Sequence, residues 1–178
     1  MKYYPIPDTQ YSSWVIDLGQ LNDFLEITSI MRELKILKYV YCFSYNGTII
    51  KYGISADHSY TWGERIYRQA GHLQGWSRRL QGSSGSDMRI IDSDFHEIHK
   101  QHLNRTGMVI TIINMNSVPN PHVSDNAWPC RRLERDLISQ YVLTHGKPPI
   151  GNKNDESRLD RKGFVSSKIW NQFFEEVA

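Results

Sequence analysis

The dipeptide Asn46-Gly47 constrains this chain more than any other pair of neighbours. It separates two runs, Tyr39–Tyr45 (YVYCFSY) and Thr48–Ser55 (TIIKYGIS), both rich in β-branched and aromatic residues. Asn and Gly reach positive φ at the centre of a type I′ turn, whose twist suits the strands on either side, so a β-hairpin is expected. Its register decides which side chains meet. A two-residue loop makes Tyr41 face Tyr52 and sends Lys51 to the opposite side. A three-residue loop over residues 45–47, with Gly47 left-handed, sets Tyr41 across from Lys51. The second register is preferred because it gathers Val40, Cys42, Ile50, Tyr52 and Ile54 on one apolar face. The other face then carries Tyr39, Tyr41 and Lys51, with Gly53 leaving room for a ligand backbone.

Around the hairpin the pattern is that of a small mixed domain. Apolar residues Leu21, Phe24, Leu25, Ile27, Ile30, Met31, Leu34 and Leu37 recur at helical spacing over residues 20–38, broken at most near Thr28. Residues 1–18, with Pro5 and Pro7, read as irregular. A third strand is expected over residues 108–115 (MVITIINM), and a helix from Pro129, a favoured first-turn position, to His145, closed by Gly146. Between hairpin and third strand the spacing predicts helices over 63–72 and 93–103 around a Gly/Ser loop at 81–86, with a last helix over 165–177. There is no internal repeat, and 178 residues with 39% hydrophobic content suit one compact domain.

A formal charge of +2 nominates no nucleic-acid partner by itself, so any basic footprint must be local. Cys42 and Cys130 lie too far apart in sequence for a zinc knuckle and too few for a disulfide framework. No window approaches eighteen apolar residues, and residues 1–14 lack the apolar core of a signal peptide. The expectation is a reduced, cytoplasmic protein with no membrane partner.

Three places hold candidate chemistry. On the hairpin, Tyr39, Tyr41 and Lys51 share a face, which two sheet tyrosines and a solvated lysine would also do. In GERIYRQAGH, Arg65, Arg68 and His72 fall at i, i+3 and i+7, and two guanidiniums with an imidazole on one stripe suit a phosphodiester as well as they suit solvent. In WPCRRLERDLISQY, Leu133, Leu137, Ile138 and Tyr141 make a core stripe with Glu134 at its margin among Arg131, Arg132 and Arg135. Glu134 reads either as a salt-bridged helix residue or as a metal ligand. His96, His99 and His102 step by three along one helix and do not converge on a metal.

In this order, the parts resemble the GIY-YIG nucleases. Tyr39-Val40-Tyr41 looks like the first signature tripeptide and Lys51-Tyr52-Gly53 like the second at a ten-residue spacing, followed by the Arg/His helix, Leu133-Glu134 on a late helix, and a Pro-containing loop to Asn152. Two positions depart from the pattern: Tyr39 stands for the first glycine, and Lys51 for the tyrosine of the second tripeptide. The resemblance implies a small α/β (α+β) fold, a three-stranded, largely antiparallel sheet flanked by helices with the site on an open face near Tyr41. It implies a domain over residues 39–152 with an insertion at about 75–105, a helical N-terminal extension over 1–38 and a tail over 153–178. The implied activity is metal-dependent hydrolysis of DNA phosphodiesters, of restriction or homing type. Tyr41 would be the catalytic tyrosine with Lys51 beside it, Arg65 or Arg68 the phosphate-binding arginine and His72 the histidine after it. Glu134 would be the single carboxylate for Mg²⁺ or Mn²⁺, and Asn152 would brace the site. Tyr39, Arg68, Arg78 and Arg79 would contact DNA, and cutting both strands of a symmetric site would call for a homodimer. The alternatives are a non-catalytic nucleic-acid-binding module that keeps this fold, which Lys51 favours, and an unrelated α/β protein in which Glu134 is remote from Tyr41.

Overall fold

The computed structural model describes residues 1–22, 25–56, 107–149, 152 and 176. In chain order its elements are β1 (Tyr3–Ile6), β2 (Ser13–Asp17), a 3-10 turn (Leu18–Gln20), α1 (Leu25–Glu33), β3 (Tyr39–Tyr45), β4 (Thr48–Ser55), β5 (Met108–Asn114) and α2 (Trp128–His145). The helices expected over 63–72, 93–103 and 165–177 and the loop at 81–86 lie outside the described residues.

The hairpin forms, with a register of its own. Asn46 (φ 45°) and Gly47 (φ 82°) both take positive φ, and Tyr45 pairs with Thr48, so the loop has two residues and not the preferred three. Between Phe43 and Ser44 the pairing shifts, leaving Ile50 as the extra residue of a bulge. Beyond it Phe43 faces Lys51, Cys42 faces Tyr52 and Tyr41 faces Gly53. Lys51 is therefore the diagonal neighbour of Tyr41, not its direct partner. The bulge also moves Ile50 from the Val40 side, where alternation alone puts it, into the cluster of Tyr39, Tyr41 and Phe43.

Among the described residues the sheet has five antiparallel strands in the order β1-β2-β5-β3-β4, not three, in a mixed α+β fold. The two additional strands come from the segment whose prolines suggested irregular chain. Pro5 sits in β1, an edge strand paired only with β2, where a missing N–H is tolerated. In β2, Ser13 and Val15 are buried on one side while Trp14 and Ile16 pack on the other, in the cluster of Tyr41. Strands β1 and β2 thus share a sheet with the hairpin.

Both faces carry a helix. Ile27, Ile30 and Met31 of α1 pack with Ile16, Leu18, Tyr39, Tyr41, Phe43, Ile110 and Ile112. Cys130, Leu133 and Leu137 of α2 pack with Val40, Ile54, Ile113 and Met115 on the other face. The apolar stripe over 20–38 is not one helix. A 3-10 turn capped by the Asp17 carboxylate comes first, and α1 ends where Lys35 turns left-handed (φ 55°). There Ile36 N–H donates to the Met31 carbonyl and Lys35 N–H to that of Arg32, a Schellman closure. Asn116 locks this corner: its Oδ1 accepts from the Leu37 and Lys38 amides and its Nδ2 donates to the Lys35 carbonyl at 2.7 Å. Helix α2 runs as expected, with Pro129 in its first turn and Gly146 (φ 75°) closing it. Among the described residues no helix is long and apolar enough to cross a membrane.

Candidate functional site

Tyr41 and Gly53 form one packing unit. A Cβ on residue 53 would fall 2.3 Å from both Cζ and the hydroxyl of Tyr41, so the ring lies flat across the glycine and its hydroxyl reaches over β4, the outer strand. The space expected for a ligand backbone is filled by this ring. Tyr41 is 3% exposed, and Phe43 meets it edge-on at 5.5 Å, with Tyr39 at 6.2 Å on its other side. Neither tyrosine stands on an open face. Lys51 projects from the same face and is 7% exposed. It is not a solvated sheet lysine, and burying an ammonium demands compensation. Tyr41 and Lys51 are diagonal neighbours on one face of the hairpin, a separation of about 7–8 Å.

Asn152 braces the strand between these residues. As the outer strand among the described residues, β4 has one side of its backbone unpaired by the other described strands. Asn152 Oδ1 accepts from the Tyr52 N–H at 2.7 Å and its Nδ2 donates to the Tyr52 carbonyl at 2.8 Å. The buried amide stands in for a neighbouring strand at the residue flanked by Lys51 and Gly53. Asn152 is thus a brace on β4.

On the α2 face, burial sets the protonation of a second group of residues. The Cys42 thiol is pushed up to about 12 by burial. The Tyr52 phenol is also pushed up to about 12, by burial first and then by Cys42 and Tyr141. Burial, then Cys42, raises Tyr141 as well. Cys130 rises to about 11, mainly by burial, with Lys38 pulling the other way. All four stay protonated near neutrality and supply neither a base nor a thiolate nucleophile. Cys42 and Tyr52 share the face that the hairpin pattern gave them, but nothing in the sequence says that Tyr141 joins them, because the docking of α2 is settled only by the fold.

Glu134 is half-buried on α2, at the margin of the core stripe, as expected. That helix covers the Val40 and Ile54 face, whereas Tyr41 and Lys51 belong to the α1 face. The structure therefore gathers Tyr41, Lys51, Gly53 and Asn152 around β4 and sets Glu134 on the other side of the sheet. Arg65, Arg68, His72, Arg78 and Arg79 lie outside the described residues. Among the described residues no three His, Cys, Asp or Glu side chains come together as a metal site. No protein family, no curated protein and no solved structure matches this chain.

Proposed function

We propose that the chain is a metal-dependent DNA endonuclease of the GIY-YIG type. The observation that carries this reading is the Asn152 clamp on Tyr52, which fixes the strand between Lys51 and Gly53 while Gly53 seats the Tyr41 ring. Short motifs can match by accident. Two residues a hundred positions apart meeting as brace and braced strand is an independent geometric condition on the same resemblance.

In this reading the phenolate of Tyr41, over the outer strand, takes a proton from the attacking water, whose oxygen bonds to phosphorus as the bond to the leaving sugar oxygen breaks. A free phenol near pKa 10 is a weak base, and the ammonium of Lys51 on the same face lowers the cost of the phenolate. Gly53 and the Asn152 brace are positioning residues: they hold the ring and strand so that this hydroxyl does not drift. Arg65 or Arg68 and His72 would face the phosphate. Glu134 would hold Mg²⁺ or Mn²⁺; a single half-buried carboxylate fits a hard cation that keeps most of its waters. Such an ion supplies charge stabilisation at the phosphoryl oxygens. DNA is the proposed partner and a homodimer the proposed arrangement for a symmetric site. A reducing, cytoplasmic setting accords with two free thiols.

Two other readings, a nucleic-acid-binding module without cleavage and an unrelated α/β protein, are favoured by one specific arrangement: Tyr41 is nearly enclosed, and the helix of Glu134 covers the opposite face. Cleavage of supercoiled DNA by the full chain and by Glu134→Ala, with Mg²⁺, Mn²⁺ or chelator, separates both from the nuclease. Metal-dependent nicking that disappears in the variant is the expected result. DNA retention without nicking, the same in both proteins, would leave only the binding module.

A further inference from the structure

The outer side of α2 carries a feature that the proposed chemistry does not use. Trp128, Arg131, Arg132 and Arg135 stand at i, i+3, i+4 and i+7, a single stripe at about 100° per residue. The opposite stripe of the same helix, Cys130, Leu133 and Leu137, faces the core. This is amphipathic spacing turned outward and filled with guanidiniums, on a chain whose net charge is only +2.

The stripe is organised. The Arg132 guanidinium sits 5.5 Å above the centre of the half-buried Trp128 ring, and His122 packs on the same indole at 4.5 Å. Arg131 is held by an ion pair with Asp125, whose other carboxylate oxygen accepts from the Ala127 amide. Arg132 and Arg135 are exposed and make no ion pair among the described residues. A guanidinium already fixed over an aromatic ring loses less freedom when it meets a ligand, and its planar fork suits phosphate oxygens. Arg135 directly follows Glu134 and Arg131 precedes it by three residues, so the stripe borders the proposed metal-holding carboxylate.

We infer that the Trp128–Arg132–Arg135 stripe of α2 is a docking surface for the phosphate backbone of a DNA duplex, leading the strand toward Glu134. The inference rests on the proposed nuclease reading and assigns it a binding surface outside the Arg/His segment at 65–72. Contacts of this kind position without reading sequence, and they weaken with salt through counterion release.

Equilibrium binding of a fluorescent duplex of random sequence, followed by anisotropy in chelator over a series of salt concentrations, tests it with the full chain and Arg132→Ala/Arg135→Ala. The double variant should bind roughly tenfold or more weakly at low salt, with a log–log salt slope shallower by about 2, one for each phosphate that the removed guanidiniums no longer neutralise. Its melting temperature should fall by no more than a few degrees, the cost of the exposed contact between Arg132 and Trp128. Arg132→Lys/Arg135→Lys should restore the slope and part of the affinity. Unchanged affinity and slope in the alanine variant, with wild type still nicking DNA, would overturn the stripe and leave the nuclease reading standing. A wild-type chain that neither binds nor nicks DNA would overturn both.

Discussion

The two faces of the sheet are built to different standards. Every one of the largest fully buried side chains among the described residues, from Tyr39 and Phe43 to Ile16, Ile27, Met31 and Ile50, lies on the α1 face. The α2 face is thinner. Val40, Ala56, Met115 and Cys130 are buried there, but Ile54, Ile113, Leu133 and Leu137 are only half covered. It also holds the raised thiols and phenols. Tyr41 and Lys51 stand on the close-packed face and Glu134 on the looser one. A change under Tyr41 should therefore act first on stability, and a change near Glu134 first on charge.

The sharpest way to break that contrast is Gly53→Ala. The added methyl would overlap the Tyr41 ring at 2.3 Å, where a 3% exposed side chain has nowhere to go. Overpacking of this kind typically costs 1–3 kcal/mol and occasionally more, and a loss of about 3 kcal/mol is expected in urea unfolding. Tyr41→Phe should not relieve it, because Cζ itself is in the way. Tyr41→Ala should, so the Gly53→Ala/Tyr41→Ala double variant should fall well short of the sum of the single losses. Additive losses would mean that ring and glycine are not one unit.

Asn152 probes the outer strand that both faces share. Asn152→Ala removes the partners of a buried N–H and a buried carbonyl at Tyr52, and about 2 kcal/mol should be lost. Asn152→Asp keeps an acceptor for the N–H but sets a second oxygen against the Tyr52 carbonyl, so it should be no better. Hydrogen exchange reads the same bonds locally. The Tyr52 amide should lose protection in Asn152→Ala, and a protected amide there would mean that the strand holds without its brace.

Much of this architecture was legible in the sequence, and the failures share one cause. Asn46-Gly47 announced the hairpin and Pro129 and Gly146 bounded α2, because a backbone conformation or a missing N–H is a local property that one residue fixes. That Asn152 clamps Tyr52 was not legible, because its partner lies a hundred residues away. Pro5 misled because its cost depends on whether its strand is central or outer, which is settled by pairing with distant chain. Ile50 misled in the same way. A bulge inserts one residue and reverses every face before it, and nothing in TIIKYG says on which side of Lys51 the extra residue falls. The enclosure of Tyr41 follows from α1, whose buried stripe spans only Ile27, Ile30 and Met31 of a longer apolar pattern.

The α2 face should reveal itself in alkali. Cys42 and Tyr52 have ordinary values of 9.0 and 10.0 and are pushed up to about 12 in the fold. Below about pH 8 both are protonated folded and unfolded, and stability is independent of them. As pH rises from there toward 12, the unfolded chain releases protons that the folded chain keeps. Stability then falls, by up to about 1.4 kcal/mol per pH unit for each group. Urea unfolding at pH 8, 9, 10 and 11 should show this decline, and Cys42→Ala should flatten its first part. An equal slope in the variant would place the titration elsewhere.

The smallest expected effects separate the two helix ends. Both helices close with a left-handed residue, but α2 uses Gly146 (φ 75°) and α1 uses Lys35 (φ 55°). A side chain there costs about 1 kcal/mol, which glycine avoids, although glycine also gains freedom in the unfolded chain. Gly146→Ala should lose about 1 kcal/mol, since no neighbour lies within 4 Å of the added methyl and only the backbone resists. Lys35→Gly should gain about half that, because the closure and the Asn116 bonds to this corner involve only backbone atoms of residue 35. A loss on Lys35→Gly would mean that the lysine side chain contributes to the α1 corner, and that the close packing of this face extends further than its apolar residues.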